Sequence, residues 1–129
     1  MPKLVDTNLI VRFLVNDYPK QAQAAEKVFQ QADLIITDIA LAEVVWTLQS
    51  FYNLPRQEIV EKLYKLLQSK NFIFNRELIF NSLFLYLNHN ISFVDAYLIA
   101  YAEGEKLEGI YSFDKGLDKV KKIKRFVPK

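Results

Sequence analysis

Cysteine is absent from this 129-residue chain. That removes disulfides, zinc–thiolate sites and cysteine nucleophiles from consideration, and it fits a reducing compartment. Histidine occurs once, at His89, so no two-histidine acid–base pair can be built. His89 itself is expected at a helix end. Only 3 Gly and 4 Pro leave room for few loops, and those short. No uncharged apolar run reaches the roughly 18 residues of a membrane span. The best stretch, Ile39 to Leu54, contains Glu43, Thr47, Gln49 and Ser50, so no membrane association is expected. Asp6 breaks the apolar N-terminal run and no small-residue cleavage site follows it, which argues against a signal peptide.

What is present points to a packed globule. Apolar residues make up 51% and aromatics 14%, too much hydrophobic content for a disordered chain. The length predicts one domain over residues 1–129, with a sizeable core. The net charge of +2 conceals an asymmetry. From Asp114 to Lys129 there are seven Lys/Arg against two Asp, a net +5, whereas residues 1–113 carry 10 basic and 13 acidic side chains, a net −3. A basic end suits a polyanionic partner. A solvated lysine-rich tail accounts for it equally well at this point.

Periodicity and punctuation predict alternating strands and helices. Lys3 to Asp6 reads as a buried strand, followed by a helix from Thr7 or Asn8 to Val15. Asn16 to Pro19 makes a turn, and Pro19 sits at the first position of a second helix. That helix runs to Gln31, with Ala22, Ala25, Val28, Phe29 and Ala32 at helical spacing. Leu34 to Thr37 is a strand. Thr37 or Asp38 caps a helix reaching Tyr52, whose expected apolar face is Leu41, Val44, Val45, Leu48, Phe51 and Tyr52. Pro55 opens a helix to Ser69. Asn71 to Phe74 is a strand, Arg76 to Asn88 a helix, and Ser92 begins another that reaches Lys106. Gly109 to Phe113 is a strand ending at Asp114, and Arg125 to Val127 is an edge-like strand. The pattern implies an α/β fold: a mainly parallel sheet with helices on both faces.

Four carboxylates stand alone in apolar surroundings. Asp6 is the only charge between Lys3 and Arg12, at the C-terminal end of the first strand, where open α/β sheets bind ligands. Glu43 is the only charge between Asp38 and Arg56, on the helix side away from the apolar face and beside Trp46. Asp95 sits in Ser92-Phe93-Val94-Asp95, a capping box with Asp in the place usually held by Glu. Asp114 ends a strand as Asp6 does. Each has a structural explanation as a cap, turn or surface residue, and taken singly both explanations stand. Together they make the oxygen-rich set that Mg²⁺ or Mn²⁺ requires, and such ions serve phosphate chemistry. Without a cation, clustered carboxylates repel. Thr7, Asn8 and Ser112 flank the acids and could orient ligands or bound waters.

Four segments carry a resemblance: Val5-Asp6-Thr7-Asn8, Leu41-Ala42-Glu43-Val44-Val45-Trp46-Thr47-Leu48, Phe93-Val94-Asp95-Ala96-Tyr97-Leu98-Ile99-Ala100, and Ser112-Phe113-Asp114-Lys115-Gly116-Leu117. In this order and spacing the chain resembles the PIN domain, and within it the VapC-type toxins of prokaryotic toxin–antitoxin pairs. The resemblance covers nearly the whole length. It implies a single-domain, three-layer α/β/α fold with a five-stranded parallel sheet. It implies a catalytic quartet of Asp6, Glu43, Asp95 and Asp114, with Asp6, Asp95 and Asp114 as the main metal ligands. It further implies Mg²⁺ or Mn²⁺ dependence, endonucleolytic cleavage of RNA, a cytoplasmic location, a homodimer and an antitoxin that covers the site.

Two other classes compete. A non-catalytic RNA- or protein-binding module would be expected to lose an acid, and none is lost; a PIN nuclease of RNA processing outside a toxin system keeps all four. An Asp-nucleophile phosphatase needs an Asp two residues after the first, where this chain has Asn8, and a phospho-receiver needs paired acids before its first helix. Among the 10 Phe and 7 Tyr some should line an interface. Phe13, Tyr18, Trp46, Phe51 and Tyr52 are the expected contacts with a second copy or an antitoxin.

Overall fold

The computed structural model describes every residue except Ala32, so the expectation that Ala32 packs inward lies outside the described residues. The chain divides into two compact units, Met1–Arg76 and Glu77–Lys129.

The first unit contains β1 (Lys3–Leu4), α1 (Thr7–Val15), α2 (Pro19–Gln31), β2 (Leu34–Ile35), α3 (Asp38–Ser50), α4 (Arg56–Leu66) and β3 (Phe72–Ile73). The strands form a parallel sheet in the order β1-β2-β3, with Lys3 opposite Leu34 and Leu34 opposite Phe72. Further bonds lengthen the ladder: the Val5 N–H donates to the Ile35 carbonyl at 2.9 Å and the Ile36 N–H to the Ile73 carbonyl at 3.0 Å. The first strand is less buried than its composition suggests. Val5 is buried, but Leu4 is 69% exposed.

The helices obey their sequence signals. Pro19 opens α2, since its missing N–H is not needed there. Thr37 caps α3 by accepting the Ala40 N–H at 3.1 Å. Asn16 ends α1 with a φ of 57°, a conformation that Asn tolerates. On α3, Leu41, Val44, Val45 and Leu48 are buried as expected, but Phe51 is exposed. Phe51 is the C-cap of the helix, still in helical conformation, and its ring packs edge to face on Tyr52. Phe13, Phe29 and Phe72 stack edge to face, with centroids 5.2 and 5.3 Å apart. Each such pair adds about 0.5–1.5 kcal/mol beyond area burial. Arg12 ties three segments together: its Nε donates to Gln21 Oε1, its Nη1 to the Tyr52 hydroxyl, and it ion-pairs with Asp17. The Tyr52 hydroxyl donates to Asp17 at 2.8 Å.

The second unit contains α5 (Arg76–Asn88, beginning at the last residue of the first unit), α6 (Phe93–Gly104), β4 (Gly109–Tyr111), a 3₁₀ turn (Lys115–Lys119) and β5 (Lys124–Phe126). β4 and β5 are parallel, with Ile110 opposite Arg125. Gly109 makes their close approach possible, because a Cβ there would collide with the Lys124 carbonyl oxygen. Tyr86, Ile99 and Ala96 are fully buried, while Leu117 and Val120 anchor the 3₁₀ turn. His89 directly follows α5 and its backbone N–H donates to the Leu85 carbonyl.

Among the described residues the fold is α/β with six α-helices and short parallel strands, and the expected five-stranded sheet is not clearly seen. The strands pair as a group of three and a group of two. Strands of two or three residues offer few ladder bonds. Among the described residues, no helix is long and apolar enough to cross a membrane.

Candidate functional site

The acids of the first unit sit on α1 and α3. Asp6 follows β1 in extended conformation and caps α1, with its Oδ1 accepting the Asn8 N–H at 3.3 Å. Its side chain is exposed. Glu43 is exposed on the outer face of α3, between Ile39 at 74% and Trp46 at 67% exposure. An outer helix face built of Ile, Glu and Trp is unusual, because solvent faces normally carry several charges. Thr7 is half-buried and Asn8 exposed. A groove of about 440 Å³ opens in the same unit, lined by Phe13, Phe29, Leu66 and Phe72 with Glu26 and Lys62 among its polar walls. None of the four acids lines it.

The second unit brings Asp95 and Asp114 together. Ser92 caps α6 by accepting the Asp95 N–H at 3.1 Å, which places Asp95 in the first turn. Asp114 caps the 3₁₀ turn, its Oδ1 accepting the Gly116 N–H at 2.8 Å. The two carboxyls lie close enough for the charge of one to act on the other. Burial holds the Asp95 carboxyl above its ordinary value, the negative charge of Asp114 raises it further, and a hydrogen bond from Ser92 pulls part of the way back. Neighbouring carboxylates repel when both are charged.

The Asp114 turn is braced from several sides. Ser112 Oγ accepts the Asp114 N–H at 2.9 Å. Arg125 grips the Asp118 carboxylate through Nε at 2.9 Å and Nη2 at 3.0 Å, and its Nη1 donates to the Ser112 carbonyl at 3.0 Å. This planar, two-pronged grip is special to arginine. It holds the Asp118 carboxyl below its ordinary value. Gly116 completes the turn, since a Cβ there would press to 2.9 Å from Asp114 Oδ1. Sequence reasoning missed Gly116 and Arg125. The signal was present, in a glycine two residues after a strand-ending Asp and an Arg in the following strand.

Among the described residues, no three His, Cys, Asp or Glu side chains gather into a ready-made cage. The donor set nevertheless fits a hard divalent cation. Asp95 and Asp114 offer carboxylate oxygens side by side, at the cost of mutual repulsion that a cation would remove. Residues 3–123 match the family profile described as PIN domain. No curated protein matches the chain.

Proposed function

The chain belongs to the PIN domain family, generally a metal-dependent nuclease fold, and from that premise we propose that it is an Mg²⁺- or Mn²⁺-dependent endoribonuclease of the VapC toxin type. The observation that carries the reading is the pairing of Asp95 with Asp114, two acids fixed near each other by separate caps, with burial and the charge of Asp114 both raising the Asp95 carboxyl. Asp6, Asp95 and Asp114 would hold the metal, while Glu43 would complete the shell or hold the attacking water. Bound there, the ion supplies charge neutralisation for the scissile phosphate, an acidified water and stabilisation of the leaving oxygen. The chain's own part is to keep oxygens available. Asp6 and Asp114 each commit one oxygen, Oδ1, to a backbone cap and leave Oδ2 outside that cap. Thr7, Asn8 and Ser112 would orient these carboxylates and bound waters.

The partners follow from the same reading: an RNA substrate, a second copy of the chain and a cytoplasmic antitoxin whose Arg reaches the acids as a bidentate partner. Exposed Ile39, Trp46 and Phe51 support an apolar contact along α3. Tyr18 and Tyr52 serve it less well, because both already engage Arg12.

The test is cleavage of a mixed RNA pool by the purified protein with Mg²⁺, with Mn²⁺ and with chelator. Internal cuts that vanish with chelator and in Asp114→Asn are expected. Intact RNA binding without cleavage in either metal would make the protein a binding module and end the nuclease reading. For the toxin role, expression alone should arrest growth, and co-expression of a small DNA-binding protein encoded next to it should restore growth.

A further inference from the structure

Two of the most exposed aromatic rings in the molecule flank the turn that carries Asp114. Tyr111 is 74% and Phe113 76% exposed. Tyr111 ends β4, and Phe113 lies two residues on in the bend that leads to Asp114, with the half-buried Ser112 between them. Tyr111 rests against the ring of Phe126, centroids 5.6 Å apart, and the Lys124 ammonium lies 4.8 Å from the centre of that same Phe126 ring. Phe113 has no ring contact among the described residues, and it directly precedes Asp114.

The surroundings of these rings are cationic. Lys115 follows Asp114, and Lys119, Lys121, Lys122 and Lys124 lie within the next ten residues. Lys119 donates to the Asn90 carbonyl and Lys122 pairs with Glu103 at 3.8 Å. Lys115 and Lys121 form no ion pair among the described residues, though their fields reach Asp118. The exposed apolar face of α3 is different. Ile39, Trp46 and Phe51 stand on a stretch without a single Lys or Arg, which suits an apolar protein partner. Exposed rings interleaved with uncommitted ammonium groups suit a polyanion with flat faces. That is single-stranded nucleic acid, whose unpaired bases stack on aromatic side chains while its phosphates meet lysines. A duplex keeps its bases paired and cannot use the rings.

We propose that Tyr111 and Phe113 form a stacking platform for unpaired bases of single-stranded RNA, with Lys115 and Lys121 as its phosphate contacts, delivering the strand to the adjacent Asp114. The delivery rests on the nuclease reading above; the stacking does not.

The experiment measures binding of a labelled single-stranded RNA of about 8–16 nucleotides, and of the same sequence as a duplex, in chelator so that nothing is cut. Wild type should prefer the single strand. Phe113→Ala and Tyr111→Ala should each weaken single-strand binding about tenfold, or about 1.4 kcal/mol, and leave duplex binding alone. Phe113→Trp should retain affinity. Lys115→Gln with Lys121→Gln should flatten the salt dependence for both RNAs. With metal restored, KM for the single strand should rise in the two alanine variants. If the alanine variants bind and cleave like wild type, the platform is overturned while the nuclease reading stands. Ring-dependent binding by a protein that never cleaves upholds the platform and removes the nuclease. Unchanged RNA affinity together with lost self-association in Phe113→Ala assigns the rings to a protein interface and overturns the proposal, as does a wild type that ignores single-stranded RNA.

Discussion

The Asp6 turn and the Asp114 turn begin from the same local grammar. In each, an Asp in extended conformation follows shortly after a parallel strand, and its Oδ1 accepts the N–H two residues on. They differ in what surrounds the cap. Asp6 is held by a single long bond of 3.3 Å. Asp114 has a bond of 2.8 Å, the Ser112 hydroxyl on its N–H, a glycine where a side chain would intrude, and Arg125 locking the strand behind it. Asp114 also faces another acid. A cap that only ends a helix needs none of this. Bracing holds a charged group in place against repulsion, which is what a site at the Asp114 turn would need, whereas the Asp6 turn is locally indistinguishable from an ordinary cap.

The largest expected effect tests whether that local difference matters to activity. Asp6→Asn and Asp114→Asn should both reduce RNA cleavage by more than the roughly 10–100-fold typical of residues that merely support a metal ligand. If only Asp114→Asn does so, Asp6 is the cap that its surroundings suggest. Gly109→Ala comes next. Its Cβ would collide with the Lys124 carbonyl and lie 2.6 Å from the Phe126 ring, forcing β4 away from β5 at a cost of about 1–3 kcal/mol. Denaturant unfolding should record that loss. Amide exchange should show protection falling at Ser112 and Asp114 and holding at Val5.

Asp95→Asn probes the repulsion itself. In the native state the Asp95 carboxyl is raised, so between its ordinary value and its folded value the native state binds more protons than the unfolded one. Wild-type stability should therefore fall as pH climbs through that window, and the Asn variant should not show this fall. Without metal at neutral pH the variant should melt level with wild type or above it. Saturating Mg²⁺ should reverse the order, since metal at about 100 times its dissociation constant adds roughly 2.7 kcal/mol to a protein that binds it. Parallel melting curves in both conditions would remove Asp95 from the site. The smallest effect concerns the Asp6 cap: Asp6→Asn should change metal-free stability by a few tenths of a kcal/mol and Asp6→Ala by about 1 kcal/mol. Equal losses in both would mean that charge, not capping, holds the turn.

Local chemistry alone determined much of this protein. Pro19, Thr37, Ser92 and the apolar spacing of α3 and α5 set helix type and boundaries to within a few residues, because caps and periodicity act over single turns. The isolation of Asp6, Glu43, Asp95 and Asp114 among apolar neighbours was legible for the same reason. Tertiary structure decided what one-dimensional spacing does not encode. It divided five short strands into groups of three and two, because ladder bonds depend on which edges meet. It exposed Leu4 and Phe51, residues whose type suggested burial, because burial depends on what packs against a surface. It also brought Asp95 near Asp114 across nineteen positions of chain, and there the Asp95 carboxyl is raised by burial and by a neighbouring charge, both of which only the folded chain supplies.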